Sequence, residues 1–442
     1  MTYRIMTKCK HAFKILAILA CLCLLSACEA NNAEIQISEN HLSATFDEFP
    51  KFKVIFNADI DMPASNEYKT ANATMKSLTI EDIEHLIHIC VNDDSIQLFE
   101  QWNLSQDEWI KKLEKAKPYI GTEKVTERYI EWLEESIKSA HKTPTNTPFN
   151  LYNSPSGTPV VAYVKKESSD AVAMVAFIRD GDFLFSYQRE EFIELVPESM
   201  AELRNFDPNT DTMEHFLRRK PETPTISHDE ALKAAQQILR SLGTDLVLYS
   251  AEPCSILSNS AIDKETGWMF VFTRKAFSLQ SRYEDSWIYV NPDYLPKHVS
   301  PWGNEYIKIS VDSSGICSLI WQGASIIDKA SSQEISLLSL DQVPQAIAKT
   351  LYKIYGTHRN ENGEGLVFEI TDIKLGASII SLKGNTESAT FVPVWYIYFN
   401  ERWNNDEEYL GSNKLILSAI DGSYIEPRIS INDIKTNGDI DK

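Results

Sequence analysis

One predicted helix carries histidines and glutamates at spacings that a metal ion could use. Glu81 and His85 are four residues apart, as are Glu84 and His88, so each pair would lie on one helix face. The order nevertheless lacks the His-Glu-x-x-His pattern of zinc hydrolases. A solvated, salt-bridged helix face explains the same residues, and no metal site is predicted here.

A second polar pattern is similar to the opening of a calcium-binding loop. Asp207, Asn209 and Asp211 alternate along the chain, as oxygen ligands do in such a loop. The sixth loop position should be glycine and the twelfth a bidentate glutamate, whereas this chain has Thr212 and Arg218 there. A polar turn ahead of a helix is the better interpretation.

A third pattern has the serine-to-lysine spacing of penicillin-recognising acyl enzymes, at Ser139 and Lys142. The companion Ser-Asp-Asn and Lys-Thr-Gly elements are absent, and the pair lies at the end of a predicted helix before a proline-rich loop. The chain also lacks a nucleophile elbow, a phosphate-binding loop and a dinucleotide fingerprint. No catalytic residue and no cofactor is predicted. The alternative function is a cell-wall hydrolase whose catalytic carboxylate is not identified among the 63 acidic residues.

Two tryptophans in the C-terminal half are candidates for surface contacts. Trp302 lies between a proline and a glycine, and Trp403 lies beside Arg402 and two asparagines, so both are predicted to occupy loops. Most other aromatic residues of this half alternate along predicted strands, where such side chains pack in a core or across strands. Trp302 and Trp403 are therefore the residues expected to contact a glycan or a peptide.

The cysteines do not form a disulfide framework. Four of the seven lie within the first 28 residues, which leaves Cys90, Cys254 and Cys317. An odd number at wide spacing fits neither a disulfide scaffold nor a metal site. Cys90 follows apolar residues at helical spacing and is predicted to be a small core residue, while a bridge between Cys254 and Cys317 stays open.

The first 27 residues have the regions of a secretory signal in the right order. Four positive residues precede an apolar run from Ile15 to Leu24, which is too short to span a membrane comfortably. The run ends in Leu25-Ser26-Ala27-Cys28, which resembles the lipobox of bacterial lipoproteins. This resemblance implies that residues 1–27 are removed and that the Cys28 thiol carries a diacylglycerol. The protein is then expected outside the cytoplasm, anchored by lipid to the bacterial cell membrane.

The net charge of the chain indicates which kinds of partner it is expected to bind. The whole chain has a formal charge of −20, and removal of a signal with four positive residues takes this to −24. Such a surface repels nucleic acid, so nucleic-acid binding is not expected. The partners that fit are the membrane, through the N-terminal lipid, and an envelope protein, a peptide or a glycan.

Hydrophobic periodicity and capping signals predict an α+β fold. Two helices are expected to begin after the caps Thr79 and Ser227. Three more are expected over 105–119, 122–140 and 340–355, with strands over most of the rest. Two prolines within 220–224 indicate the main domain boundary. The predicted parts are the signal at 1–27, a tether at 28–46, an N-terminal domain of helices and antiparallel sheet at 47–220, and two helix-plus-antiparallel-sheet modules at 225–328 and 335–430.

The two predicted modules share an order of elements: a helix, then strands, then a late hairpin with an acidic turn. The residues that carry this pattern are 227–242, 392–398 and 417–423. They resemble the PepSY-type and related cystatin-like modules of exported bacterial proteins, and the whole chain resembles uncharacterised lipoproteins of clostridial type. The resemblance implies a non-catalytic module that inhibits or regulates envelope partners. The predicted function is therefore the binding or regulation of an extracytoplasmic protein or peptide.

Overall fold

The computed structural model describes most of the chain between residues 35 and 426. The described ranges are 35–38, 40–47, 49, 51–63, 67–91, 96–101, 103–119, 127–143, 146–166, 172–180, 184–189, 192–196, 224–258, 264–283, 298–300, 304–382, 389–406 and 408–426. Cys28 with the predicted signal, the calcium-like pattern at 207–218 and Trp302 therefore lie outside the described residues.

Five α-helices lie in the described ranges, and several of them begin at the predicted caps. They are α1 Ile80–Val91, α2 Gln106–Ala116, α3 Glu127–Ser139, α4 His228–Ser241 and α5 Val343–Tyr355. Thr79 and Asp82 bond reciprocally at the start of α1, and Ser105 forms a capping box with Glu108 at α2. Ser227 accepts a hydrogen bond from the Glu230 amide at α4. Among these helices, none combines the length and the apolar composition that crossing a bilayer requires.

The strands of the described ranges fall into two sheets. In chain order they are β1 Gln36–Ser38, β2 His41–Phe46, β3 Lys53–Asp61, β4 Tyr68–Met75, β5 Ile96–Phe99, β6 Pro159–Lys166, β7 Val172–Ile178, β8 Leu184–Arg189, β9 Phe192–Val196, β10 Leu246–Ser258, β11 Lys264–Ala276, β12 Leu279–Gln280, β13 His298–Val299, β14 Tyr306–Asp312, β15 Gly315–Gln322, β16 Ser325–Ile327, β17 Gln333–Ile335, β18 Leu366–Leu382, β19 Ala389–Trp403, β20 Gly411–Ser418 and β21 Ile425–Glu426.

The first sheet is built from the two ends of the described chain. Its order is β1-β2-β3-β18-β19-β4-β16, with β13, β17, β20 and β21 paired beside this path. Most neighbours are antiparallel, but β3 and β18 run parallel, with Val54 opposite Phe368. Helix α5 buries Ile347 and Leu351 against this sheet in the larger hydrophobic core.

The second half of the tether predicted at 28–46 contains the strands β1 and β2, which pair antiparallel. Leu42, Ala44 and Phe46 alternate with polar residues and are all buried in the first core. This period-2 pattern is that of a half-buried strand. The polar residues that alternate with these three side chains are also typical of a flexible tether, which is why the sequence favoured a tether here.

The second sheet has the order β5-β6-β7-β8-β15-β14-β11-β10-β9, with β12 beside β11. All its strand pairs are antiparallel. Helices α1 and α4 cover one face, where Leu86 and Ile238 join the second hydrophobic core with Phe270, Phe272 and Trp321. The predicted core position of Cys90 is confirmed, since it is buried in the same cluster.

The two sheets do not follow the predicted domain boundaries. Strands of the predicted 47–220 domain lie in both sheets, β3 and β4 in the first and β5 to β9 in the second. The predicted module at 225–328 likewise gives β13 and β16 to the first sheet and its other strands to the second. Local periodicity indicates that a segment is a strand but not which distant strand it pairs with. In its coarse form the α+β prediction is confirmed, with antiparallel strands as the main component.

Candidate functional site

A cavity of about 440 Å³ lies where the chain crosses between the two sheets, and we call it the junction pocket. The chain leaves the first sheet at Lys76, just after β4, and crosses back to this sheet for the last time between β15 and β16. The two crossings are joined by a hydrogen bond of 2.8 Å from the Lys76 amide to the Ala324 carbonyl oxygen. The pocket is therefore formed by parts of both sheets.

The inner wall of the junction pocket is organised around one buried carboxylate, that of Glu305. Its Oε2 accepts from Arg274 Nε and, at 3.4 Å, from the Ser325 amide, while Oε1 accepts from Trp321 Nε1 at 3.1 Å. Burial raises the pKa of the Glu305 carboxyl, and the three donors act in the opposite direction. Both carboxylate oxygens are thus engaged by protein donors.

Arg274 connects this wall to the mouth of the pocket. Its Nη1 donates to Asp245 Oδ1 while its Nε holds Glu305. Burial alone would lower the pKa of the Arg274 guanidinium, but the hydrogen bonds and the negative charges of Glu305 and Asp245 together raise it. Arg274 is therefore a fixed positive charge that orients one carboxylate inside the pocket and one at its mouth.

The mouth carries charges of both signs. Lys329 Nζ lies 4.0 Å from Asp245 Oδ2, and their side chains are 70% and 56% exposed. Lys76 Nζ lies 3.3 Å from Asp82 Oδ1 and 5.4 Å from the centre of the Trp321 ring. Leu242, Ile326 and Ile327 are the apolar residues near these charges, and Ile326 among them is exposed.

The turn after α4 places Asp245 at the mouth. Gly243 has φ +61°, and a Cβ at this position would meet nothing within 4 Å. Glycine is therefore favoured there by the backbone conformation and not by crowding. This left-handed residue ends the helix and turns the chain into β10, so that Thr244 and Asp245 line the cavity.

The junction pocket combines apolar residues with several oriented charged groups. Its volume lies toward the lower end of the range of about 300 to 1,000 Å³ that is usual for small-ligand sites, which combine apolar walls with a few oriented polar groups. Glu305 is the pocket's buried carboxylate, and its oxygens already accept from Arg274, Trp321 and Ser325. Its contacts are those of a group that positions Arg274, whereas a general acid or base has to reach a substrate atom.

The structure does not bring Trp403, one of the two predicted surface tryptophans, to this pocket. Trp403 is the last residue of β19 and not a loop residue, and it packs partly buried against the first core. Its exposure was overestimated because the polar residues around it suggested a loop. Trp302 lies outside the described residues, as does Cys28.

The helix with the metal-like spacing has other contacts. His85 Nε2 lies 3.1 Å from the Ser241 carbonyl oxygen at the end of α4, so this ring joins the two helices that cover the second sheet. Among the described residues, no three His, Cys, Asp or Glu side chains lie together as metal ligands would. At the penicillin-enzyme pattern, the Ser139 hydroxyl donates to the Ser136 carbonyl oxygen at 3.1 Å.

Cys254 and Cys317 are free thiols, so the bridge that the sequence left open is not formed. Both are buried in a small cluster on the face of the second sheet opposite α4, together with Met269 and Val271. Burial raises the pKa of the Cys254 thiol to about 12, which keeps it protonated and unreactive at neutral pH.

Sequence reasoning missed the junction pocket. Asp245, Arg274 and Glu305 are separated by about thirty residues each along the chain and form no motif. The signal that was available is Gly243, which marks the end of a predicted helix and so the start of the turn at the mouth.

No protein-family model matches the chain, and no curated protein matches it. Among solved structures, the chain is similar to an uncharacterised protein from Eubacterium rectale ATCC 33656, at 12% identity and with a TM-score of 0.41. The match covers 88% of this chain and 93% of the other. At this TM-score the likeness carries no conclusion about fold or function.

Proposed function

We propose that this protein is a lipid-anchored component of the bacterial cell envelope that binds an extracytoplasmic partner protein or peptide in the junction pocket. The observation that carries the proposal is the pocket itself, where apolar residues lie between charged groups held in place by Arg274 and Glu305. The proposed location in the cell envelope is supported by the sequence, in which a predicted secretory signal is followed by a segment that resembles a lipobox and ends at Cys28.

Binding is favoured over catalysis by the contacts of the pocket's acidic groups. Glu305 is engaged at both oxygens, and Asp245 is held at Oδ1 by Arg274. These interactions orient the carboxylates in advance, and such preorganisation lowers the cost of capturing a ligand. The cell-wall hydrolase alternative would need an acidic group free to approach a substrate bond.

We further propose that the C-terminal half consists of two related modules of the PepSY or cystatin-like type. Helix α4 precedes β10, β11, β14 and β15, which are neighbours in the second sheet in that order. Helix α5 precedes β18, β19 and β20, which are neighbours in the first sheet in the same way. The junction pocket is lined mainly by the first of these units, through the turn after α4 and residues of β11 and β15, together with β16 and Lys76 just after β4.

Affinity capture from the organism's own membranes tests the proposal. The full acylated chain serves as bait in three forms: wild type, Ile326→Arg and Val161→Arg. Ile326 is an exposed strand residue at the pocket, and Val161 is an exposed strand residue in β6 of the second sheet. Both changes add a long cationic side chain at an exposed position.

We expect the Ile326→Arg bait to recover at least tenfold less of a partner that the wild-type and Val161→Arg baits both recover. Equal recovery of the same partner by all three baits would show that the pocket is not the contact. Circular dichroism of the purified variants checks that each one is folded.

A further inference from the structure

The mouth of the junction pocket presents one carboxylate and one ammonium group side by side. Asp245 Oδ2 and Lys329 Nζ are 4.0 Å apart, which is longer than a hydrogen bond. Exposed pairs of this kind contribute little to stability, because water and salt compete with them. A ligand that brings its own ammonium and carboxylate can therefore take the place of this pair.

The two groups differ in how firmly they are held. Asp245 is oriented through Oδ1 by the guanidinium of Arg274, whose side chain is itself only 14% exposed. Lys329 is 70% exposed and is attracted to Asp245 by charge alone. The carboxylate is thus a preorganised acceptor, and the lysine can swing to meet an incoming anion.

The wall behind these charges suits an apolar side chain. Leu242, Ile326 and Ile327 line the cavity near the mouth, and Trp321 and Ala324 line its buried part. The volume of about 440 Å³ is suited to a ligand of one or two amino-acid residues, and smaller than a folded segment would need.

We infer that the junction pocket binds a short peptide zwitterion with apolar side chains. This inference rests on the proposed function, since it names the ligand class of the same pocket. The ligand ammonium lies on Asp245 Oδ2, its terminal carboxylate on Lys329 Nζ, and its side chains against the apolar wall. A dipeptide carries both charges at the required short separation, whereas an internal segment of a long chain carries neither.

Isothermal titration of the full acylated chain in detergent tests the ligand class with three probes: the dipeptide Leu-Leu, its N-acetyl derivative and its C-terminal amide. We expect Leu-Leu to bind and each capped form to bind at least tenfold more weakly, because each lacks one of the two charges. Equal binding of the three probes, or no binding of Leu-Leu at millimolar concentration, would overturn the inference.

Two variants test which residue of the protein binds which charged end of the ligand. Asp245→Asn is expected to remove the preference for Leu-Leu over the acetylated form, and Lys329→Gln the preference over the amide. The matched controls are Asp341→Asn and Lys349→Gln, which change exposed residues near and on α5. They are expected to keep both preferences, and unchanged preferences in the pocket variants would contradict the assignment.

The two proposals fail in different ways. If Leu-Leu does not bind but Ile326→Arg still loses its partner, the ligand class is wrong and the proposed function stands. If Leu-Leu binds as described but partner capture is insensitive to Ile326→Arg, the pocket is a peptide site and the partner contact lies elsewhere.

Discussion

Glu305 joins three separate segments of the chain through one side chain. It accepts from Arg274 in β11, from Trp321 in β15 and from the amide of Ser325 in β16. A buried carboxylate of this kind is costly to desolvate, and it is tolerated because its donors compensate. Removing the Glu305 charge would leave the Arg274 guanidinium with Asp245 as its remaining carboxylate partner.

We expect Glu305→Gln to lower the free energy of unfolding by about 1 to 3 kcal/mol, the usual cost of leaving a buried polar group without its hydrogen-bond partner, because Arg274 keeps Asp245 as a second partner. Urea denaturation at neutral pH measures the change, with Asp341→Asn as the control for loss of an exposed acid. A loss of less than about 1 kcal/mol would mean that Arg274 and Asp245 alone hold the wall.

A second residue-level constraint lies where β3 and β18 begin to run in parallel. Gly365 directly precedes β18, and a Cβ at this position would stand 1.4 Å from the Lys51 carbonyl oxygen. The neighbour is backbone and cannot rotate away. The two strands can therefore meet only if this residue has no side chain.

We expect Gly365→Ala to destabilise the protein by roughly 1 to 3 kcal/mol or more, the range for overpacking. Gly411→Ala is the matched control, because a Cβ there meets nothing within 4 Å and its effect should be small. Thermal unfolding of the two variants compares them directly, and equal melting temperatures would contradict the close approach.

At the scale of elements, the helix starts were the most predictable part of the structure. The caps Thr79, Ser105 and Ser227 are local signals, since each bonds to residues three positions away. Asp82 completes the cap of α1: its carboxylate accepts from the Thr79 amide at 3.1 Å and pairs with Lys76. The same residue therefore stabilises a helix start and holds a lysine of the junction pocket.

We expect Asp82→Asn to cost up to about 1 kcal/mol at pH 7, the typical value of a capping interaction. Burial opposes ionisation of Asp82, but the Thr79 hydrogen bonds and Lys76 lower the pKa of its carboxyl in the folded protein. The stabilisation is present above the unfolded-state pKa of about 3.9 and is lost as pH falls through the lower folded-state value. The free energies of unfolding of wild type and variant in urea should therefore differ at pH 7 and converge as the pH falls below the folded-state pKa of Asp82, and a difference that persists in acid would exclude the charge as its cause.

At the scale of the whole molecule, no local pattern of residues indicates which strands are partners. The periodicity of Val54, Phe56 and Ala58 predicts a strand, but nothing local says that it lies beside Phe368 more than three hundred residues later. The junction pocket was unpredictable for the same reason, because its charges come from segments that only the long-range pairing brings together. Trp403 shows the converse error, in which polar neighbours in sequence concealed a side chain that packs on the core.

The proposed lipid anchor concerns the whole molecule, since it would set where every surface can act. We expect Cys28→Ala to move the protein from the membrane to the soluble fraction while its fold is unchanged. Cys23→Ala is the matched control, because that cysteine lies in the apolar run that is expected to be removed. Fractionation with mass spectrometry of the N-terminus makes the measurement, and a Cys28→Ala protein still found with the membrane would contradict lipid attachment at this thiol.

The early hairpin of β1 and β2 leaves only eight residues from Cys28 to the first strand at Gln36. Even a fully stretched peptide of that length reaches no farther than about 29 Å, which is close to the thickness of a bilayer's hydrocarbon layer. With the proposed lipid on Cys28, the folded protein would stay within about this distance of the membrane. Its ligands would then have to reach it through the layer of water next to the lipid headgroups.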